Sequence, residues 1–98
     1  MNIAELSPEI EKDLDIAIAY LKSVGCTEIF IFGSVASGEA TSDSDLDIAV
    51  RGINPAEFFF VYGELLTRIA RPADLIDLNI QKKFGQQLLD SESLKRVA

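Results

Sequence analysis

One run of six residues, Thr27-Glu28-Ile29-Phe30-Ile31-Phe32, limits what this chain can fold into more than any other segment. It is rich in β-formers and almost unbroken in its apolarity, so it reads as a strand buried on both faces. Such a strand needs cover on either side, which a small sheet packed against helices supplies. A helix fits immediately before it. Ser7 is a hydroxyl N-cap followed by Pro8 at the first helical position, and Glu9, Glu11 and Asp13 sit near the positive end of the dipole. Ile10, Leu14, Ala17, Leu21 and Val24 then recur at spacings of four and three, giving one apolar stripe that Gly25 terminates as a left-handed cap.

After the strand, Gly33 to Ser44 turns to Gly, Ser, Ala, Thr and acids and reads as a loop, with a short helical turn at Val35-Ala36-Ser37. Asp45-Leu46-Asp47-Ile48-Ala49-Val50 alternates polar or small with large apolar residues, the pattern of a strand with one face in the core. Asn54-Pro55 opens a second helix through about Ile69, with Phe58, Tyr62, Leu65, Leu66 and Ile69 on its inner side, and Arg71-Pro72 ends it. Ala73 to Ile80 forms a third strand and Gln81 to Leu89 a short helix. The order helix, strand, strand, helix, strand, helix predicts an α/β fold of the α+β kind: one small mixed sheet backed by helices. At 98 residues and 48% hydrophobic content, one domain spanning residues 1–98 is expected to build its core without staples.

Charge narrows the partners. Sixteen acids against nine basic residues give a net charge of −7, and no Lys/Arg cluster offers a stripe for a phosphate backbone, so direct nucleic-acid binding is disfavoured. A small triphosphate is not excluded, because divalent ions held by carboxylates reverse the sign of the local field. The first residues carry acids where a signal peptide would be basic, and no apolar stretch reaches membrane-spanning length, so a cytoplasmic protein without membrane contact is expected. The lone Cys26 reads as a half-buried thiol. Self-association is left open.

The chemistry is concentrated in Gly33-Ser34, ten intervening residues, and Asp45-Leu46-Asp47. A strand that ends at a Gly-Ser turn leaves backbone N–H groups exposed at the start of a helical turn, where they bind anionic phosphate oxygens. Gly33 lets the backbone approach a phosphate closely, and the Ser34 hydroxyl adds a donor. Aspartates at i and i+2 of a strand project from one face, roughly 6–7 Å apart at a rise of ~3.3 Å per residue. They can share a pair of Mg²⁺ ions about 3.5–4 Å apart, one activating an attacking hydroxyl and the other neutralising a leaving pyrophosphate. Without cations the two carboxylates repel each other.

Gly33-Ser34-Val35-Ala36-Ser37-Gly38 followed by Ser44-Asp45-Leu46-Asp47 resembles the signature of the DNA polymerase beta-like nucleotidyltransferases, and in particular the minimal nucleotidyltransferase group, whose members are near this length. The resemblance covers Ile29 to about Asn79. It implies Mg²⁺-dependent attack by an acceptor hydroxyl on the α-phosphorus of ATP or another NTP, with Gly33 and Ser34 binding the nucleotide. It also implies that Asp45, Asp47 and a third acid on a neighbouring strand hold two metal ions and carry catalysis. Asp74, in Ala73-Asp74-Leu75-Ile76, matches the family's position for that acid and is preferred. Strand parity argues for Asp77, because Ile76, Leu78 and Ile80 share one apolar face and leave Asp77 on the other. Val35 stands where relatives are often basic, which removes a phosphate contact.

Separately, each fragment has an ordinary reading: Gly-Ser is a common turn and Asp-x-Asp a solvated strand edge. Asp43-Ser44-Asp45-Leu46-Asp47 also mimics the start of an EF-hand, but Ile48 and Asn54 replace its required Gly and Glu. Phe58-Phe59-Phe60 with Tyr62 turns through all sides of a helix, so some of these rings are core and one or two face outward as a patch for a protein partner. Arg68 and Arg71 read as charges near a helix C-terminus, and Lys82 and Lys83 as solvated lysines within reach of a triphosphate. Two functions compete. One is a transferase acting on a partner protein, which the resemblance identifies as a small helical HEPN-domain toxin whose tyrosine receives AMP. The other is an antitoxin-like interaction module, weak in catalysis, that acts by binding that partner.

Overall fold

The computed structural model describes residues 7–41, 43–79, 87 and 94–98. Helix α1 (Pro8–Ser23) starts where Ser7 accepts the Ile10 N–H through its side chain, and the chain leaves it through Gly25 at φ +102°. Strand β1 (Glu28–Phe32) follows, then a short helix α2 (Gly33–Ser37), strand β2 (Leu46–Arg51), a 3₁₀ turn at Pro55–Glu57, helix α3 (Phe58–Arg68), strand β3 (Ala73–Asp77) and a two-residue strand β4 (Lys95–Arg96). The sheet order is β3-β2-β1-β4, with β1 antiparallel to both β2 and β4, and β2 parallel to β3. A mixed sheet with helices is thus what the sequence predicts.

The sheet has two unequal faces. Ile29 and Ile31 of β1, Leu46, Ile48 and Val50 of β2, and Ala73 and Leu75 of β3 pack with Ile10, Leu14, Ala17 and Leu21 of α1 and Val61 and Leu65 of α3. This is the main core. The opposite face carries a smaller cluster of Phe30, Ala49 and Leu78, with Phe32, Ile76 and Leu94 against it. Cover on both sides explains why β1 is apolar almost throughout. No helix among the described residues is long and apolar enough to cross a membrane.

Several local expectations are corrected. Helix α2 begins at Gly33 itself, so no loop residue separates it from β1. Strand β3 stops at Asp77, whose carboxylate accepts the Asn79 N–H at 2.9 Å and turns the chain. Ile80, Lys82, Lys83 and the helix expected over 81–89 lie outside the described residues, apart from position 87. Leu66 is on the outer side of α3, and Phe59 and Phe60 are 83% and 70% exposed. Strand β4 had no signal in the sequence; two residues are too few for a period.

The largest departure concerns Asp13 and Arg71. They form a buried ion pair, Nε to Oδ2 at 2.8 Å, and Asp13 also accepts the Ala70 N–H at 3.2 Å. Arg71 reaches on to the Ser44 carbonyl at 3.0 Å, and the Pro72 carbonyl accepts the Leu46 N–H at 3.1 Å. One buried pair therefore ties α1 to the segments that lead into β2 and β3. Removing one member of such a pair typically costs about 3–5 kcal/mol, whereas replacing both with apolar groups costs far less. Urea denaturation should show Asp13→Ala losing stability in that range, with Asp13→Leu/Arg71→Met closer to the native protein; a loss below about 1 kcal/mol in Asp13→Ala would contradict a structural role for the pair.

Candidate functional site

Topology gathers the site at one end of the sheet. Because β1 runs against β2, Phe32 at the end of β1 pairs with Asp47 near the start of β2. Because β2 and β3 run together, Asp47 pairs in turn with Asp74. Gly33, Asp47 and Asp74 thus occupy three neighbouring positions across the strand ends. Asp45 precedes β2 on the same side, between Ser44 and Leu46, both fixed by Arg71-Pro72. These carboxylates belong to the face away from α1 and the main core.

Gly33 sits at φ +68°, and a Cβ built there would collide with the Asp47 carboxylate. Two constraints therefore select glycine at this position: the left-handed backbone and the packing of the Asp47 side chain against the Cα. Helix α2 starts at this point, beside Asp47, with no side-chain cap hydrogen bond to its first turn.

Electrostatics at the acids follow from this crowding. The Asp47 carboxyl is pushed above the ordinary carboxylate range first by burial, then by the charges of Asp74 and Asp45 and by a hydrogen bond shared with Asp74. A carboxyl–carboxylate hydrogen bond of this kind marks two acids that cannot comfortably ionise together without a cation. Among the described residues, no three His, Cys, Asp or Glu side chains are drawn together tightly enough to cage an ion on their own. Mg²⁺ does not require that, since it is usually held by one or two carboxylates with substrate phosphates and water completing its shell. The donor set, hard oxygens crowded beside an open backbone turn, fits such an ion.

Asp77 is placed elsewhere. It pairs with Val50 at the far end of β3, about 10 Å along the strand from Asp74 at ~3.3 Å per residue, and it is buried. One carboxylate oxygen caps the turn at Asn79, and the other has no hydrogen-bond partner among the described residues. Burial, followed by the Asp77 charge, raises the Cys26 thiol to about 11, which leaves it a protonated core group at neutral pH. The alternation that set Asp77 apart from Ile76 and Leu78 holds, but the acid-bearing face is the one those two residues share with Asp74, opposite the main core.

The sequence predicts for Tyr62 only a core or docking role. Its hydroxyl lies 2.8 Å from the Ala73 carbonyl and 3.3 Å from Asp74 Oδ1, so α3 reaches around the edge of β3 into the acid cluster. Helical spacing from Phe58 gives the inward direction of this residue, but nothing in the sequence gives its polar partner.

The chain matches the model of the family described as Polymerase beta, Nucleotidyltransferase over residues 17–94. No curated protein matches it. Among solved structures, a chain of a toxin–antitoxin complex with AMP-PNP is similar with a TM-score of 0.67 and 24% identity, over 88% of this chain and 70% of that one. A chain of the toxin–antitoxin MntA-HepT gives 0.64 and 21%, over 88% and 69%. A mutant of such a complex, with two aspartates two positions apart changed to glutamate, gives 0.66 and 22%, over 86% and 70%. At these identities the structures show a shared fold. The family match spans β1, Gly33-Ser34 and all three acids at the strand ends, and on that match the chain belongs to the polymerase beta nucleotidyltransferase family.

Proposed function

We propose that this protein is a Mg²⁺-dependent nucleotidyltransferase that moves AMP from ATP onto a hydroxyl of a partner protein, a small helical protein of the HEPN toxin type. The observation that carries the reading is the pairing of Asp47 with Asp74 across β2 and β3, directly beside Gly33. Crowded carboxylates of like charge at the mouth of a backbone turn are costly for a protein to keep, and a divalent cation with a triphosphate offsets that cost. Solved relatives of the same fold that contain AMP-PNP, or pair MntA with HepT, support the nucleotide and the partner.

In this reading Asp45, Asp47 and Asp74 hold two Mg²⁺ ions, whose chemistry is to lower the pKa of the attacking hydroxyl and to neutralise charge on the departing pyrophosphate. Gly33 and Ser34 receive phosphate oxygens at the start of α2, and the glycine keeps the backbone close enough to do so. The acceptor oxygen would approach from the Asp74 side, where β3 is the edge strand among the described residues. Outward-facing Phe59, Phe60 and Leu66 on α3 give the partner an apolar surface to dock on. Should the partner bind that surface without being modified, the protein would act as the interaction module.

Calorimetric titration with ATP should give binding that depends on Mg²⁺ or Mn²⁺; equal binding with and without the ion would remove the metal assignment. Incubated with a HEPN-type partner, each labelled NTP and Mg²⁺, the protein should add one nucleotidyl group to the partner by intact mass, with ATP the preferred donor. Asp45→Asn, Asp47→Asn and Asp74→Asn should each lower transfer by about 100-fold or more, in line with loss of charge-stabilising groups at a reacting centre, while Asp77→Asn retains it. A stable complex with no mass gain from any NTP would favour the interaction module.

A pH prediction follows from Asp47. Its folded pKa is raised, so its contribution to stability is complete below the unfolded value near 3.8 and is lost as pH rises through the folded value. Asp47→Asn should therefore be more stable than the native protein at pH 7 in chelator, with the difference closing as pH falls towards 4. Denaturation curves of the two proteins across that range check the sign. A variant less stable than the native protein at pH 7 would show that the carboxylate is favourably held without metal.

A further inference from the structure

We propose that Tyr62 is a positioning residue that holds the Asp74 carboxylate in place for metal binding, an inference that rests on the assignment of Asp74 above. Asp74 is exposed on an edge strand and faces a like charge on Asp47. Repulsion favours rotation of its side chain away from Asp47, and among the described residues β3 is the edge strand of the sheet. The Tyr62 hydroxyl, 3.3 Å from Oδ1, opposes that rotation.

The phenol is suited to this because its own position is determined twice. Its ring is half-buried on the inner side of α3 and meets Phe58 edge-on at a centroid distance of 6.0 Å. Its oxygen is anchored at 2.8 Å on the carbonyl of Ala73, the residue before the acid. The single phenolic proton is shared between that carbonyl and the carboxylate, with the shorter contact to the carbonyl. Asp74 is thus oriented through one oxygen and keeps a second for a cation. Carboxylate ligands are commonly held by hydrogen-bonding neighbours in this way, and losing such a neighbour typically costs 10–100-fold in metal affinity.

The test uses Mn²⁺ as the probe. Binding of Mn²⁺ in the presence of ATP is followed by electron paramagnetic resonance in the native protein, Tyr62→Phe, Asp74→Asn, the double variant and Phe58→Leu. Tyr62→Phe keeps the ring and should lower Mn²⁺ affinity about tenfold, and the double variant should be no weaker than Asp74→Asn alone, because both changes remove one function. Phe58→Leu loosens the ring's packing but leaves the hydroxyl anchored on the Ala73 carbonyl, and should weaken binding less than Tyr62→Phe does. Native affinity in Tyr62→Phe together with weakened Asp74→Asn would overturn the positioning role alone. Native affinity in Asp74→Asn would remove the metal assignment and this proposal with it. A nucleotidyl group appearing on the native chain itself with ATP, and absent from Tyr62→Phe, would also overturn it by making the phenol an acceptor.

Discussion

Two carboxylates held side by side on adjacent parallel strands are the constraint around which this small fold is arranged. Asp47 and Asp74 are in register, Asp45 adds a third charge, and Gly33 packs against Asp47 so closely that no larger residue fits. Like charges at that spacing push their strands apart or force a shared proton. The protein keeps them together by fixing the backbone on either side, and the Tyr62 hydroxyl meets the exposed Asp74 side chain.

The fixing is done from the opposite face of the sheet. Asp13 on α1 forms a buried pair with Arg71, in the turn before β3, and Arg71 continues to the Ser44 carbonyl just ahead of β2. Main-core burial of α1 and α3 positions this pair, and the pair positions the two strand starts. Arg68 stacks over the Tyr20 ring at 4.4 Å and adds a second tie between the helices near their exposed ends. A chain of contacts therefore runs from apolar packing, through one buried ion pair, to the geometry of the acids. Tyr62 is a separate tie from the same layer of helices to the third acid.

Much of this could be read from the residues because they follow simple periods. The stripe on α1 and the alternation Leu46, Ile48, Val50 gave the core faces correctly, and Thr27 to Phe32 gave the strand that is covered twice. The positions of Gly33 and the Asp-x-Asp relative to those strands were legible for the same reason, since a strand's parity fixes the face of each side chain. What could not be read depends on contacts distant in sequence. Asp13 and Arg71 are 58 residues apart, and each has an adequate local explanation as a charge near a helix end. Tyr62 and Asp74 lie on different elements, and the edge position of β3 that lets them meet is a property of sheet order. Parity could separate Asp74 from Asp77 but could not say which face held the site, because both faces of β3 carry apolar residues.

The central claim is that the Asp47–Asp74 pair, beside Gly33, is a cation and triphosphate site. A crystal structure of the protein soaked with Mn²⁺ and AMP-PNP, with manganese located by anomalous scattering, tests it most directly. The expected result is manganese at the carboxylates of Asp47 and Asp74, with the phosphates at the Gly33-Ser34 turn. Manganese bound only to phosphate, or at Asp77 and not at Asp47 and Asp74, would contradict it.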